Sequence, residues 1–249
     1  MTELVQAWVV PFLLALVRLS AFMAALPVFA SETAPLRVRA AFAVTLAGVL
    51  VAASPAIVGA ELSPAPLLVE ALIGALLGLI VRLVLAAVEL AAELLSLQMG
   101  LGFAQLVDPL SGGSASPLGA LLAVAPGAAL FASDAHLTLV RGLAHSTVRV
   151  PLGAGHFDLG RLEVLVRSAA GLFKDGVRIA LPIAAVLFGG QLAFALLTKV
   201  APQLNVWALG FLATSGLALA ALAVGAPTLI HEIVALLRQG TVAMAEAVG

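Results

Sequence analysis

Cysteine is absent from the 249 residues, and charge is scarce, with Asp, Glu, Lys and Arg making up only 10%. Without cysteine there is no disulfide framework and no thiolate metal site. The low charge excludes an ordinary soluble domain, which carries roughly 25% charged residues. Twelve Lys+Arg against thirteen Asp+Glu give a formal charge of −1, so the basic surplus of a nucleic-acid binder is missing too. No HExxH, GxSxG or Walker A pattern occurs. The sequence signs of a zinc hydrolase, a serine hydrolase and an ATPase are therefore lacking. The four histidines, His136, His145, His156 and His231, show no metal-ligand spacing. Met1 to Val10 holds Glu3 as its only charge, without the basic start of a signal peptide, so no cleaved leader is expected.

What is present is apolar surface. Hydrophobic residues make up 63% of the chain, more than a soluble exterior of this size can hide. Lipid removes that demand. A spanning helix needs about 20 mostly apolar residues. Candidates run from Ala7 to Ala30, Ala40 to Ala60, Leu67 to Gly100, Leu118 to Ser133, Val177 to Thr198 and Asn205 to Ile230. The expected fold is all-α, a polytopic helical membrane protein with about six apolar helices. Polar links at Ser31–Arg39, Glu61–Pro66 and Val107–Pro117 separate them. The longest charged stretch, Asp134 to Asp175, reads as a link with a turn at Pro151-Leu152-Gly153. Pro227 marks the expected end of the last span, before a short amphipathic tail. The distribution of Lys and Arg does not settle the membrane orientation.

Some polar residues interrupt the apolar runs. Arg18 lies within the first candidate, and Glu70, Arg82, Glu89 and Glu93 lie within the third. Glu70, Gly74, Gly78 and Arg82 follow at steps of four and share one broad helix face. The Gly74/Gly78 pair forms a GxxxG pattern that lets a second backbone approach. Glu70 and Arg82 stand about 18 Å apart along the axis and cannot pair with each other. A charge in hydrocarbon costs at least ~2.5 kcal/mol. Each charge therefore needs a partner on another helix, a water-filled cavity, or a place outside lipid. Structural inter-helix pairing is favoured over contact with a transported substrate. The run Val107-Asp108-Pro109-Leu110-Ser111-Gly112-Gly113-Ser114-Ala115-Ser116-Pro117 is a small-residue loop. Such a loop is either an ordinary surface connection or, at membrane depth, buried in protein or lining a cavity.

Several runs resemble one family. Gln98-Met99-Gly100-Leu101-Gly102-Phe103-Ala104, then Val107-Asp108-Pro109 and Gly112, is similar to the signature of the flagellar biosynthetic protein FliR family. So are Arg18-Leu19-Ser20 to Pro27-Val28-Phe29, Ala34-Pro35-Leu36-Arg37-Val38-Arg39, Phe131 to Leu137, and Val200-Ala201-Pro202-Gln203-Leu204-Asn205-Val206. The matches fall in the family's order across most of the chain. Departures are Lys199 where the family usually has Arg, Trp207 where it has Phe, and Leu212 where it has Pro.

The resemblance implies a non-enzymatic subunit of the flagellar type III export gate, with no cofactor and no nucleic-acid partner. It implies FliP-like and FliQ-like subunits as partners, with FlhB-like and FlhA-like proteins nearby, and helices packed as tilted hairpins in the lipid of the bacterial inner membrane. Unfolded flagellar proteins would pass through the gate, driven by the proton-motive force and a separate ATPase. It further implies that Leu106 to Pro117 plugs the closed channel. The rival readings are an injectisome subunit of the same architecture and, more distantly, a small-molecule secondary transporter.

Overall fold

The structure, a computed structural model, describes residues 8–26, 29, 35–53, 62–99, 124, 127–153, 156–200 and 206–248. Its helices are α1 (Val10–Ala25), α2 (Leu36–Ala53), α3 (Pro64–Gln98), α4 (Ala135–Arg149), α5 (Arg161–Val200) and α6 (Val206–Val248). No strand occurs among the described residues. The contacts group the described parts of Met1–Val84, Asp134–Ala170 and Leu237–Gly249 into one compact unit. Those of Leu85–Ser133 and Gly171–Leu236 form a second.

Local sequence explains the helix ends in the first unit. Pro11 sits in the first turn of α1, where its missing N–H costs nothing and its fixed φ suits a helix. Leu26 caps the other end in an extended conformation, as the residue before a proline prefers. Val10, Leu14, Arg18 and Phe22 of α1 recur every four residues and are all buried. α1 packs against α2, and α2 touches α4.

Three helices among the described residues are long and apolar enough to cross a membrane: Pro64–Gln98, Arg161–Val200 and Ala213–Val248. α1 is a shorter apolar helix. At 1.5 Å per residue α3 extends about 52 Å, well beyond a hydrocarbon core of about 30 Å. Charged residues near its end therefore need not lie in lipid. The fold is that of an all-α helical membrane protein.

Two expectations need correction. The charged stretch from Asp134 to Asp175 is mostly helix, as α4 and the first turns of α5. Hydropathy averaged over a span-length window misses α4 because its faces differ. Leu139, Leu143, Ser146 and Thr147 are buried, while Arg141, His145 and Arg149 are exposed. The turn at Pro151–Gly153 is present between the two helices. The second correction concerns α6, which does not end at Pro227 but continues to Val248. A proline inside a helix costs about 3 kcal/mol. Beyond it, Ile233, Leu236, Leu237 and Met244 are buried, so packing holds the helix past its proline. Half of the candidate span from Leu118 to Ser133 falls outside the described residues.

Gly74 and Gly78 carry the closest helix approach in the first unit. A Cβ on Gly74 would overlap the carbonyl oxygen of Arg18. On Gly78 it would stand 2.5 Å from the carbonyl oxygen of Phe22 and 2.7 Å from the Ala25 Cβ. Both partner numbers rise by four, so α1 and α3 run parallel where they touch. A side chain larger than hydrogen forces them apart, and overpacking of this kind costs typically ~1–3 kcal/mol or more. Gly74→Leu and Gly78→Leu are each expected to remove most of the folded chain from membranes. Gly189→Ala, where nothing lies within 4 Å of the new Cβ, should leave the amount unchanged. Quantifying detergent-extracted monodisperse protein for the three variants checks this.

Candidate functional site: a buried ion pair and the end of α3

Arg18 is only 2% exposed and Glu70 only 1%. The Arg18 Nε donates to Glu70 Oε2 at 2.5 Å. Its Nη1 donates to Ser146 Oγ at 3.2 Å, and its Nη2 donates to the carbonyl oxygen of Val150 at 3.0 Å. The other carboxylate oxygen, Glu70 Oε1, accepts the backbone N–H of Gly153 at 2.9 Å. Ser146 Oγ in turn donates to the carbonyl oxygen of Leu143 at 2.7 Å. The network joins α1, α3, α4 and the turn that follows α4.

Each part has a local cause. Gly153 has φ 78, a left-handed conformation that glycine adopts without strain, and there its N–H meets Glu70. Leu152 beside it is fully buried, which anchors the turn. Glu70 and Gly74 stand one helix turn apart and serve the same residue: Glu70 takes the guanidinium, and Gly74 admits the backbone oxygen of Arg18. Charge pairing and close packing thus set one register.

The other candidates lie elsewhere. Arg82 and Glu89 are half-buried and each has an interaction of its own. Glu93 is exposed. In the second unit, Gln98 Nε2 donates to the carbonyl oxygen of Ala184 at 2.9 Å. Gln191 Nε2 donates to the carbonyl oxygen of Gln98 at 2.8 Å. Met99 is buried. Gly100, Phe103, Leu106 to Pro117, Pro202 and Asn205 lie outside the described residues. Sequence reasoning did not single out Ser146 or Gln191. Ser146, three residues after Leu143, shares the buried face of α4, which a helical period marks as buried but not as a partner of Arg18. No local pattern marks Gln191.

The second unit also holds a cavity of about 390 Å³, lined wholly by apolar residues, among them Val88, Leu95, Ile179 and Leu222. That lining offers no donor or acceptor side chain for a polar cofactor. Among the described residues, no three of His, Asp and Glu gather as a metal-ligand group.

The structure is that of a helical membrane protein, whose first unit holds a buried ion pair and close glycine contacts. The sequence profile of the bacterial export proteins, family 1, matches residues 9–240. FliR, the flagellar biosynthetic protein of Pectobacterium carotovorum subsp. carotovorum, is 31% identical over 207 residues, covering 82% of this chain and 79% of that protein. The flagellar biosynthetic protein FliR of Escherichia coli (strain K12) is 27% identical over 208 residues, 82% of this chain and 80% of that one. In Bacillus subtilis (strain 168) the protein of that name is 28% identical over 205 residues, 80% of this chain and 79% of that one. The chain belongs to family 1 of the bacterial export proteins, and within it to the FliR family.

Removing one partner of a buried ion pair strands the other charge and costs about 3–5 kcal/mol. Replacing both with apolar groups of similar volume is often neutral. Arg18→Met and Glu70→Met are each expected to lower the unfolding midpoint and the membrane level sharply. The double variant should recover most of the loss. Thermal unfolding of the purified single and double variants measures the coupling, and additive losses would argue against a shared pair.

Proposed function

We propose that this chain is a non-enzymatic subunit of the flagellar type III export gate in the bacterial inner membrane, at the flagellar basal body. With FliP-like and FliQ-like subunits it builds the channel through which unfolded flagellar proteins cross. FlhB-like and FlhA-like proteins stand next to that assembly. The match of the export family to residues 9–240 carries this reading. The flagellar names of the relatives favour it over the injectisome counterpart. Further support comes from α5, where Phe173, Leu181, Phe188 and Leu196 are all more than half exposed. Apolar surface of this extent requires lipid or neighbouring subunits.

Within this reading Leu106 to Pro117 is the plug of the closed channel. By position it is the segment after Gln105, just past the signature run Gln98 to Ala104. A closed gate has to stop ions and still yield to a polypeptide. Gly112, Gly113 and three serines supply few apolar anchors, so displacement costs little.

Two experiments test the proposal. Clean deletion of the gene should abolish hook and filament proteins in the culture medium, and complementation should restore both. Normal flagellar secretion in the deletion strain would remove the flagellar assignment. Deleting Leu110 to Ser116 should leave the assembly recoverable but make cells leaky to small solutes. Unchanged permeability with an intact assembly would reject the plug.

A further inference from the structure

α5 contains a weak segment. Pro182 lies inside the helix, lacks the N–H that would meet the carbonyl of Arg178, and crowds that carbonyl. Gly189 and Gly190 follow about two turns later, and glycine in a helix interior is unfavourable. Gly190 has a packing reason, since a Cβ there would overlap Leu217 of α6. Gly189 has open space around it. A helix with these three residues within nine positions invites a kink. α5 nevertheless continues without interruption from Arg161 to Val200.

The hydrogen bonds of Gln98 and Gln191 fall on this segment. Gln98 Nε2 reaches the carbonyl oxygen of Ala184, just after the proline. Gln191 Nε2, just after the glycine pair, reaches back to the carbonyl oxygen of Gln98. Positions 184 and 191 are two turns apart, about 10.5 Å along one helix face. One residue of α3 therefore grips α5 on both sides of the glycine pair, once through its side chain and once through its backbone. Neither bond competes with the helices. A carbonyl oxygen already bonded within a helix keeps a second lone pair. The Gln98 carbonyl is among the last four of α3, which have no intrahelical donor.

We infer that Gln98 and Gln191 form a two-point clasp that holds α5 straight from Ala184 to Gln191, across Gly189 and Gly190, and makes the end of α3 and the middle of α5 move as one body. Both are positioning residues: they act on the helices and not on an exported chain. The clasp stands on these contacts alone and does not depend on the plug.

Hydrogen exchange of the full-length protein, purified from membranes, reads the clasp at the peptide Ile183–Phe194. Gln191→Leu should speed exchange there about fivefold, the factor that losing one ordinary hydrogen bond makes in a local opening equilibrium. Gln98→Leu removes the other arm and should do the same, so a failure of either variant to accumulate leaves the second to decide. Exposed Gln239 is the control, and Gln239→Leu should leave this peptide unchanged. The decisive comparison repeats Gln191→Leu in a Gly189→Ala background, where the interior glycine is replaced by a good helix former in open space. There the increase should shrink to less than about twofold, because a repaired helix depends less on its clasp. Unchanged exchange in both single variants, or an equal increase in both backgrounds, would overturn the inference.

Discussion

A guanidinium buried in an apolar helix costs several kcal/mol unless its charge is matched and its N–H groups find acceptors. Arg18 meets both conditions only when two separate stretches of chain are in place: Glu70 of α3, and the end of α4 with Ser146 and the carbonyl of Val150. α1 thus cannot reach its final state alone. The requirement is reciprocal, because Glu70 divides its two oxygens between Arg18 and the N–H of Gly153. A hydrophobic contact would tolerate a shift of one residue, but this network does not. The polar groups select one arrangement, and the apolar face of α1 adds burial to it.

Close packing refines what the charges select. Lipid tails are as apolar as leucine, so helices in a bilayer gain little from hydrophobicity when they associate, and contact area matters instead. Gly74 and Gly78 bring the backbone of α3 against the carbonyls of Arg18 and Phe22. The same logic recurs in the second unit, where Gly176 admits the backbone of Ala87. Across α5 and α6, Arg178 and Glu232 form a pair at 3.5 Å, with Arg178 largely exposed. A pair so open to its surroundings contributes at most about 1 kcal/mol and does not rank with Arg18–Glu70.

The long helices show how far tertiary contacts override local preference. Pro182 and Pro227 both lie in uninterrupted helices. Each removes a backbone hydrogen bond, a serious loss where water cannot replace it. α6 is held by buried side chains beyond its proline, and α5 by contacts that include the amides of two glutamines. In a protein made of long helices, stiffness at these points decides which parts move together.

Much of this was legible in the residues. Composition alone required a helical membrane protein, because 63% hydrophobic residues cannot be hidden in water. The steps of four from Glu70 to Gly78 marked a packing face, since side chains four apart share a side of any helix. The GxxxG spacing marked a close approach for the same reason. The family was readable from short runs in fixed order. Other features were not legible. Nothing local names Ser146 and Gly153 as the groups around the Arg18–Glu70 pair, or Gln191 as the donor to Gln98, because these contacts join residues 83 to 132 positions apart. Nor does local sequence tell that Pro227 is passed without a break. Periodicity and composition are properties of neighbouring residues, and they determined the class of fold and the faces of its helices. Which buried charge meets which partner depends on where distant helices come to rest, and only the tertiary structure decided that.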